Sequence, residues 1–114
     1  MIGPVQAELF VRSSPQHTDF FTRLCDALVR VCPGSRPVTA GGCTRVAIDL
    51  WPTAHRFRRG YQMRLQISTG AHPRYARNTG SGEPLASATR LMVAEQLIYH
   101  DPGHPSGIIL SKFQ

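Results

Sequence analysis

A strict two-residue alternation of apolar and polar side chains narrows the folds open to this chain more than any other feature. Val5, Ala7, Leu9 and Val11 share one phase, while Gln6, Glu8 and Arg12 share the other with Phe10. That period places the first four on one face of an extended strand with one side buried. Val46, Ile48 and Leu50 alternate with Arg45, Ala47 and Asp49 in the same way, and Met63, Leu65 and Ile67 with Arg64, Gln66 and Ser68. Ten Gly and nine Pro among 114 residues break the chain too often for a bundle of long helices. The expected fold is all-β, an antiparallel β-sandwich or barrel forming one domain over residues 1–114.

Between these strands the pattern is less regular. Phe20 to Cys25 and Ala27 to Val31 read as strands separated by Asp26 alone, with none of the Asn-Gly, Asp-Gly or Gly-first chemistry of a tight hairpin. Cys32 to Cys43, with two Pro and three Gly, reads as loop, and Trp51-Pro52 as a strand break. Gly70 to Pro84 is expected to be a long ordered or functional loop. Ser87 to Tyr99 fits helix and strand spacing equally. His100 to Ser106 reads as a Pro/Gly turn and Gly107 to Leu110 as a last short strand.

The formal charge of +6 comes almost wholly from arginine, twelve Arg and one Lys against seven acids. From Leu50 to Gly82 stand Arg56, Arg58, Arg59, Arg64, Arg74 and Arg77 with no carboxylate. Such a stretch suits an acidic partner surface, phosphates or plain solvent. Nucleic acid is disfavoured as partner because the arginines accompany no recognised binding motif; if it binds, affinity must fall steeply with salt. No apolar run approaches the 18 or so residues of a membrane span, and Met1-Ile2-Gly3-Pro4 lacks signal-peptide layout. Cys25, Cys32 and Cys43 are odd in number and lack C-x-x-C spacing, which fits reduced thiols in a cytoplasmic protein with no membrane contact.

Several residues invite a chemical role. Gly80-Ser81-Gly82 is no G-x-S-x-G elbow, so no catalytic residue is assigned. His100-Asp101-Pro102-Gly103-His104 offers three weak metal-ligand candidates, His100, Asp101 and His104, but Asp before Pro equally initiates a turn, and neither a metal nor a cofactor is assigned. Trp51, the sole Trp, follows a strand, with His55 shortly after it. With Tyr61 and Tyr75 it could stack on a sugar, or it could anchor a core or an interface. Arg74 and Arg77 flank Tyr75, with Asn78 beyond, and could grip a carboxylate or hold their own loop. These seven, Trp51, His55, Tyr61, Arg74, Tyr75, Arg77 and Asn78, are the ligand- or partner-binding candidates.

The blocks Ile48-Asp49-Leu50-Trp51-Pro52-Thr53-Ala54-His55-Arg56-Phe57, Arg59-Gly60-Tyr61, Arg64-Leu65-Gln66-Ile67-Ser68, His72-Pro73-Arg74-Tyr75-Ala76-Arg77-Asn78 and Ile98-Tyr99-His100-Asp101-Pro102-Gly103-His104-Pro105-Ser106 together resemble the C-terminal domain of cocaine-esterase-like and X-prolyl dipeptidyl-peptidase-like serine hydrolases. Gly3-Pro4-Val5 through Phe20-Phe21 is similar to that domain's early strands. The resemblance implies a jelly-roll β-sandwich of the galactose-binding-like type. It implies a non-catalytic domain that packs against an α/β-hydrolase domain carrying the Ser-His-Asp triad, in a parent hydrolysing acyl esters or X-prolyl peptides. It also favours strand for Thr89 to Tyr99. A carbohydrate-binding sandwich is the alternative. Relative to the family, the chain looks shortened by a first strand and by the turn near Asp26. Unpaired edges and a shortened hinge promote pairing between copies, so a homo-oligomer is expected, either a homodimer or an assembly with strands exchanged.

Overall fold

Eight strands and no helix make up the residues described by the computed structural model, which are 2–26, 29–30, 35–38 and 42–111. They run β1 (Ile2–Ser13), β2 (Thr18–Asp26), β3 (Val29–Arg30), β4 (Ser35–Val38), β5 (Thr44–Ala54), β6 (Arg64–Ser68), β7 (Gln96–Tyr99) and β8 (Gly107–Leu110). No helix is long and apolar enough to cross a membrane. All pairings are antiparallel and fall into two four-stranded sheets.

Each sheet is built on one long central strand. β1 pairs with β5 along one edge, and its other edge is shared end to end by β8, against Val5 to Glu8, and β7, against Phe10 to Ser13. β2 pairs with β6 on one side, and with β4 and β3 in succession on the other. The alternation of β1 thereby does its work. Val5, Ala7, Leu9 and Val11 point inward and are buried, as are Val46, Ile48 and Leu50 of β5 opposite them. Phe20 and Leu24 of β2 join the same core, with Leu65, Ile67, Ile98, Ile108 and Leu110 packed at its margin. The two faces meet as a sandwich. On the outward phase, Glu8 holds Arg45 through two 2.8 Å bonds, and Gln6 Nε2 donates to Asp49 Oδ1 at 2.7 Å.

Four local expectations need correction. Trp51-Pro52 does not break the strand: Gly3 faces Thr53 and Val5 faces Leu50, so two residues of β5 oppose Pro4 alone in a bulge, and β5 continues to Ala54. Neither Pro4 nor Pro52 has an N–H to contribute, which is why pairing is interrupted there. Within Cys32 to Cys43, Ser35–Val38 is a strand rather than loop; it flanks β2, and Pro37 is tolerated on such a flank. The hairpin that lacked turn chemistry nonetheless pairs within the chain, Cys25 with Arg30 and Asp26 with Val29. Its connection, residues 27 and 28, lies outside the described residues, as does Val31. Finally, the strand expected over Thr89 to Tyr99 is confined to Gln96–Tyr99. Residues 91–95 instead follow the loop, with the Met92 N–H on Thr79 O at 2.9 Å and Glu95 tied to Ser14 by two 3.0 Å bonds.

Thr22 is fully buried on the inward face of β2, and its Oγ1 has no hydrogen-bond partner among the described residues. An unsatisfied buried hydroxyl is destabilising where an isosteric methyl is not. Thr22→Val should therefore raise stability by about 1 kcal/mol, and Leu9→Ala should lower it by about 2 to 5 kcal/mol. Urea unfolding of the two variants checks both signs.

Candidate functional site

Three places gather the chemically interesting side chains. The first is the bulge of β5. Trp51 is 60% exposed there, and the Arg74 guanidinium carbon lies over its ring, 5.5 Å from the centroid. A cation above an indole face is an attractive pairing even in partial solvent. In the connection from β5 to β6, which follows in the chain, Arg56, Arg58, Arg59, Tyr61 and Met63 are all exposed. Tyr61 is fixed by a turn in which its N–H donates to Arg58 O at 3.1 Å. His55 is half-buried, edge-on to Phe57 at 4.9 Å, and Phe57 packs on the core margin.

The second place is the loop between β6 and β7. Tyr75 lies against Phe21 on the outward face of β2, ring centroids 5.2 Å apart, so that ring shields the sheet. Arg74 and Arg77 diverge: the first covers Trp51, the second lines an open cleft of about 710 Å³ with His17, Asp19, His72, Asn78 and Met92. Asn78 Oδ1 accepts the Gly80 N–H at 2.9 Å, holding its own loop. Gly82 has φ +76°, and a Cβ there would stand 2.7 Å from the His17 ring. His17 was not legible as a site residue; the signal available was the glycine spacing in the loop that receives it.

Glu83 organises the rest of that loop. Its carboxylate accepts from Ser81 Oγ at 3.0 Å and from the N–H groups of Thr89 and Arg90, and it pairs with Arg90 Nε at 3.5 Å. The Ser81 hydroxyl foremost, then the Arg90 amide, hold its pKa below the ordinary value of 4.5.

The third place is the turn from β7 to β8, which carries the metal candidates. Asp101 Oδ1 accepts the Gly103 N–H at 2.9 Å, and both Asp101 oxygens lie within 3.1 Å of His104 Nδ1. Desolvation raises the Asp101 pKa, but the His104 and Gly103 hydrogen bonds outweigh it and the net direction is downward. The His104 ring packs on Phe10 and Tyr99, and the Phe10 N–H donates to Ser106 Oγ at 2.8 Å. The turn thus bridges the point where β7 stops and β8 has yet to begin along β1. His100 is exposed beside it, and no cluster of three or more His, Cys, Asp or Glu able to hold a metal occurs among the described residues.

The structure therefore brings Trp51 and Arg74 together and places Tyr75, Asn78, Asp101 and His104 in intramolecular contacts. Two outcomes follow. Gly82→Ala should cost about 1 to 3 kcal/mol, from the positive φ and the His17 contact together; adding His17→Ala should recover only part of it, as measured by denaturant unfolding. Because the Glu83 carboxylate is held below 4.5, its contribution is full above that pH and is lost as pH falls through the folded-state value. The melting-temperature gap between the native chain and Glu83→Gln should accordingly be widest near neutrality and close on acidification.

Residues 23–109 match the model of the X-Pro dipeptidyl-peptidase C-terminal non-catalytic domain. The chain is also 32% identical to a cocaine esterase of Rhodococcus sp. (strain MB1 Bresler), with 95% of this chain covered and 22% of that protein. The chain thus spans about a fifth of the length of the curated relative it matches. The alignment runs over 127 residues against 114 in the chain, so the relative carries extra residues inside the matched stretch. With most of its strands inside that match, this all-β chain belongs to the X-Pro dipeptidyl-peptidase C-terminal non-catalytic domain family.

Proposed function

We propose that this jelly-roll domain of galactose-binding-like type serves a serine hydrolase by packing against its α/β catalytic portion, and that the parent activity is hydrolysis of acyl esters or X-prolyl peptides. The observation that carries the reading is the surface around Trp51. A large aromatic ring left mostly exposed and covered by an arginine, with exposed Tyr61, Met63 and three further arginines in the connection that follows it, has the composition of an interface anchor. Membership of a non-catalytic domain family, at about a fifth of a relative's length, supplies the need for such a surface. The cytoplasm is the expected setting.

The arrangement supports a sugar-binding role less well. Tyr75 faces Phe21 and Arg74 occupies a face of Trp51, which removes two of the elements a stacking platform would use.

Two measurements test the proposal. The purified chain should show no serine-reagent-sensitive turnover of nitrophenyl acyl esters or X-prolyl nitroanilides. Exchanging the matching segment of the Rhodococcus esterase for this chain should give a folded esterase. In that chimera Trp51→Ala should lower the thermal midpoint, whereas in the isolated domain the same change should cost under about 1 kcal/mol, since a mostly exposed side chain contributes little to the core. Equal effects in both settings would argue against docking at Trp51.

A further inference from the structure

Asp19 and Arg77 line one cleft and do not pair with each other. Asp19 alternates with the buried Thr18 and Phe20 at the start of β2, which sets its carboxylate on the outward face of that sheet. The loop after β6 lies over the same face through the Tyr75 contact with Phe21, and it brings Arg77 to the same cleft of about 710 Å³. Other arginines near a carboxylate close on it, as Arg45 does on Glu8 and Arg90 on Glu83. Among the described residues the side chains of Asp19 and Arg77 make no ion pair and no hydrogen bond. Each charge is left for something that enters the cleft.

We propose that this cleft binds a short peptide with free termini and apolar side chains, its ammonium on Asp19, its carboxylate on Arg77 and its side chains against Leu91 and Met92. A simple anion would meet the like charge of Asp19, and a simple cation that of Arg77; a ligand carrying both signs satisfies both. The guanidinium fork takes a carboxylate through two parallel hydrogen bonds. Leu91 and Met92 border the same cleft and are 62% and 53% exposed. Covering them with apolar groups is favourable, and a methionine adapts to the shape that arrives. The volume falls within the roughly 300 to 1,000 Å³ of small-molecule sites.

The walls are fixed before a ligand arrives. The Met92 N–H on Thr79 O at 2.9 Å ties the apolar segment to the loop, and Gly80, at φ +76°, lets the two approach so closely that a Cβ there would stand 3.1 Å from Met92 Cβ. Arg77 stands between Tyr75, packed on Phe21, and Asn78, whose Oδ1 accepts the Gly80 N–H. Backbone anchored on both sides of the arginine lowers the cost of ordering it on a ligand. His17 and His72 also border the cleft and offer ring nitrogens to the peptide group. Trp51 does not line it, and binding there does not depend on the docking proposed above.

The test uses the intact chain and four probes. Calorimetric titration with leucyl-leucine should give a dissociation constant of about 0.1 to 1 mM, as suits a ligand of that size. The N-acetylated peptide, which lacks the ammonium, and the C-terminal amide, which lacks the carboxylate, should each bind about tenfold more weakly. Glycyl-glycine, which lacks the apolar side chains, should bind about tenfold more weakly or less still. Arg77→Met should weaken leucyl-leucine about tenfold and leave the amide unchanged, and Asp19→Asn should weaken it similarly and leave the acetylated peptide unchanged. A merely structural role for either residue would move all four probes together. No binding of leucyl-leucine up to about 20 mM, analogues that bind as well as the parent peptide, or variants that weaken every probe alike would each overturn the proposal.

Discussion

The fold depends on the burial of one strand's inward face. Val5, Ala7, Leu9 and Val11 lie sealed between Val46, Ile48 and Leu50 beside them and Phe20 and Leu24 across the sandwich. Because successive residues of a strand alternate sides, a one-residue slip of β1 would expose all four and bury Gln6, Glu8 and Arg12 instead. The outward pairs, Glu8 with Arg45 and Gln6 with Asp49, lock that register from the solvent side. Everything else is placed relative to these two central strands and the short turn joining them.

The connections that looked most functional are largely devices for completing the sheets. The turn from Tyr99 to Gly107 spans the interval between two short strands on one edge of β1, and Ser106 Oγ accepts the amide of Phe10 there. Asp101 and His104 are engaged with each other and with the turn's backbone. The long loop after β6 lays Tyr75 on Phe21 and is held by Glu83 through hydroxyl, amide and arginine contacts. Among the groups left facing solvent are the Trp51–Arg74 pair and the arginine-rich connection after it.

That division suits a domain whose family is non-catalytic. A non-catalytic domain acts through surfaces. The Trp51 surface offers an aromatic ring and cations, which suit burial against another protein face.

The alternating residues by themselves determined the all-β class and which side chains of β1 and β5 form the core, because a period of two is imposed by strand geometry whatever the surroundings. Conserving that phase needs no tertiary information. Only the tertiary structure decided that Trp51-Pro52 is a bulge, that Ser35–Val38 is a strand despite Pro37, and that the strand near Tyr99 begins as late as Gln96. Each of these turns on what lies alongside: Pro4 opposite the bulge, β2 beside β4, and Thr79 and Ser14 competing for the amides of Met92 and Glu95. The fates of the candidate residues were decided in the same way. A tyrosine or histidine looks alike in sequence whether it faces a ligand or a phenylalanine, and the packing of Tyr75 on Phe21 and of Arg74 on Trp51 arises between segments far apart in the chain.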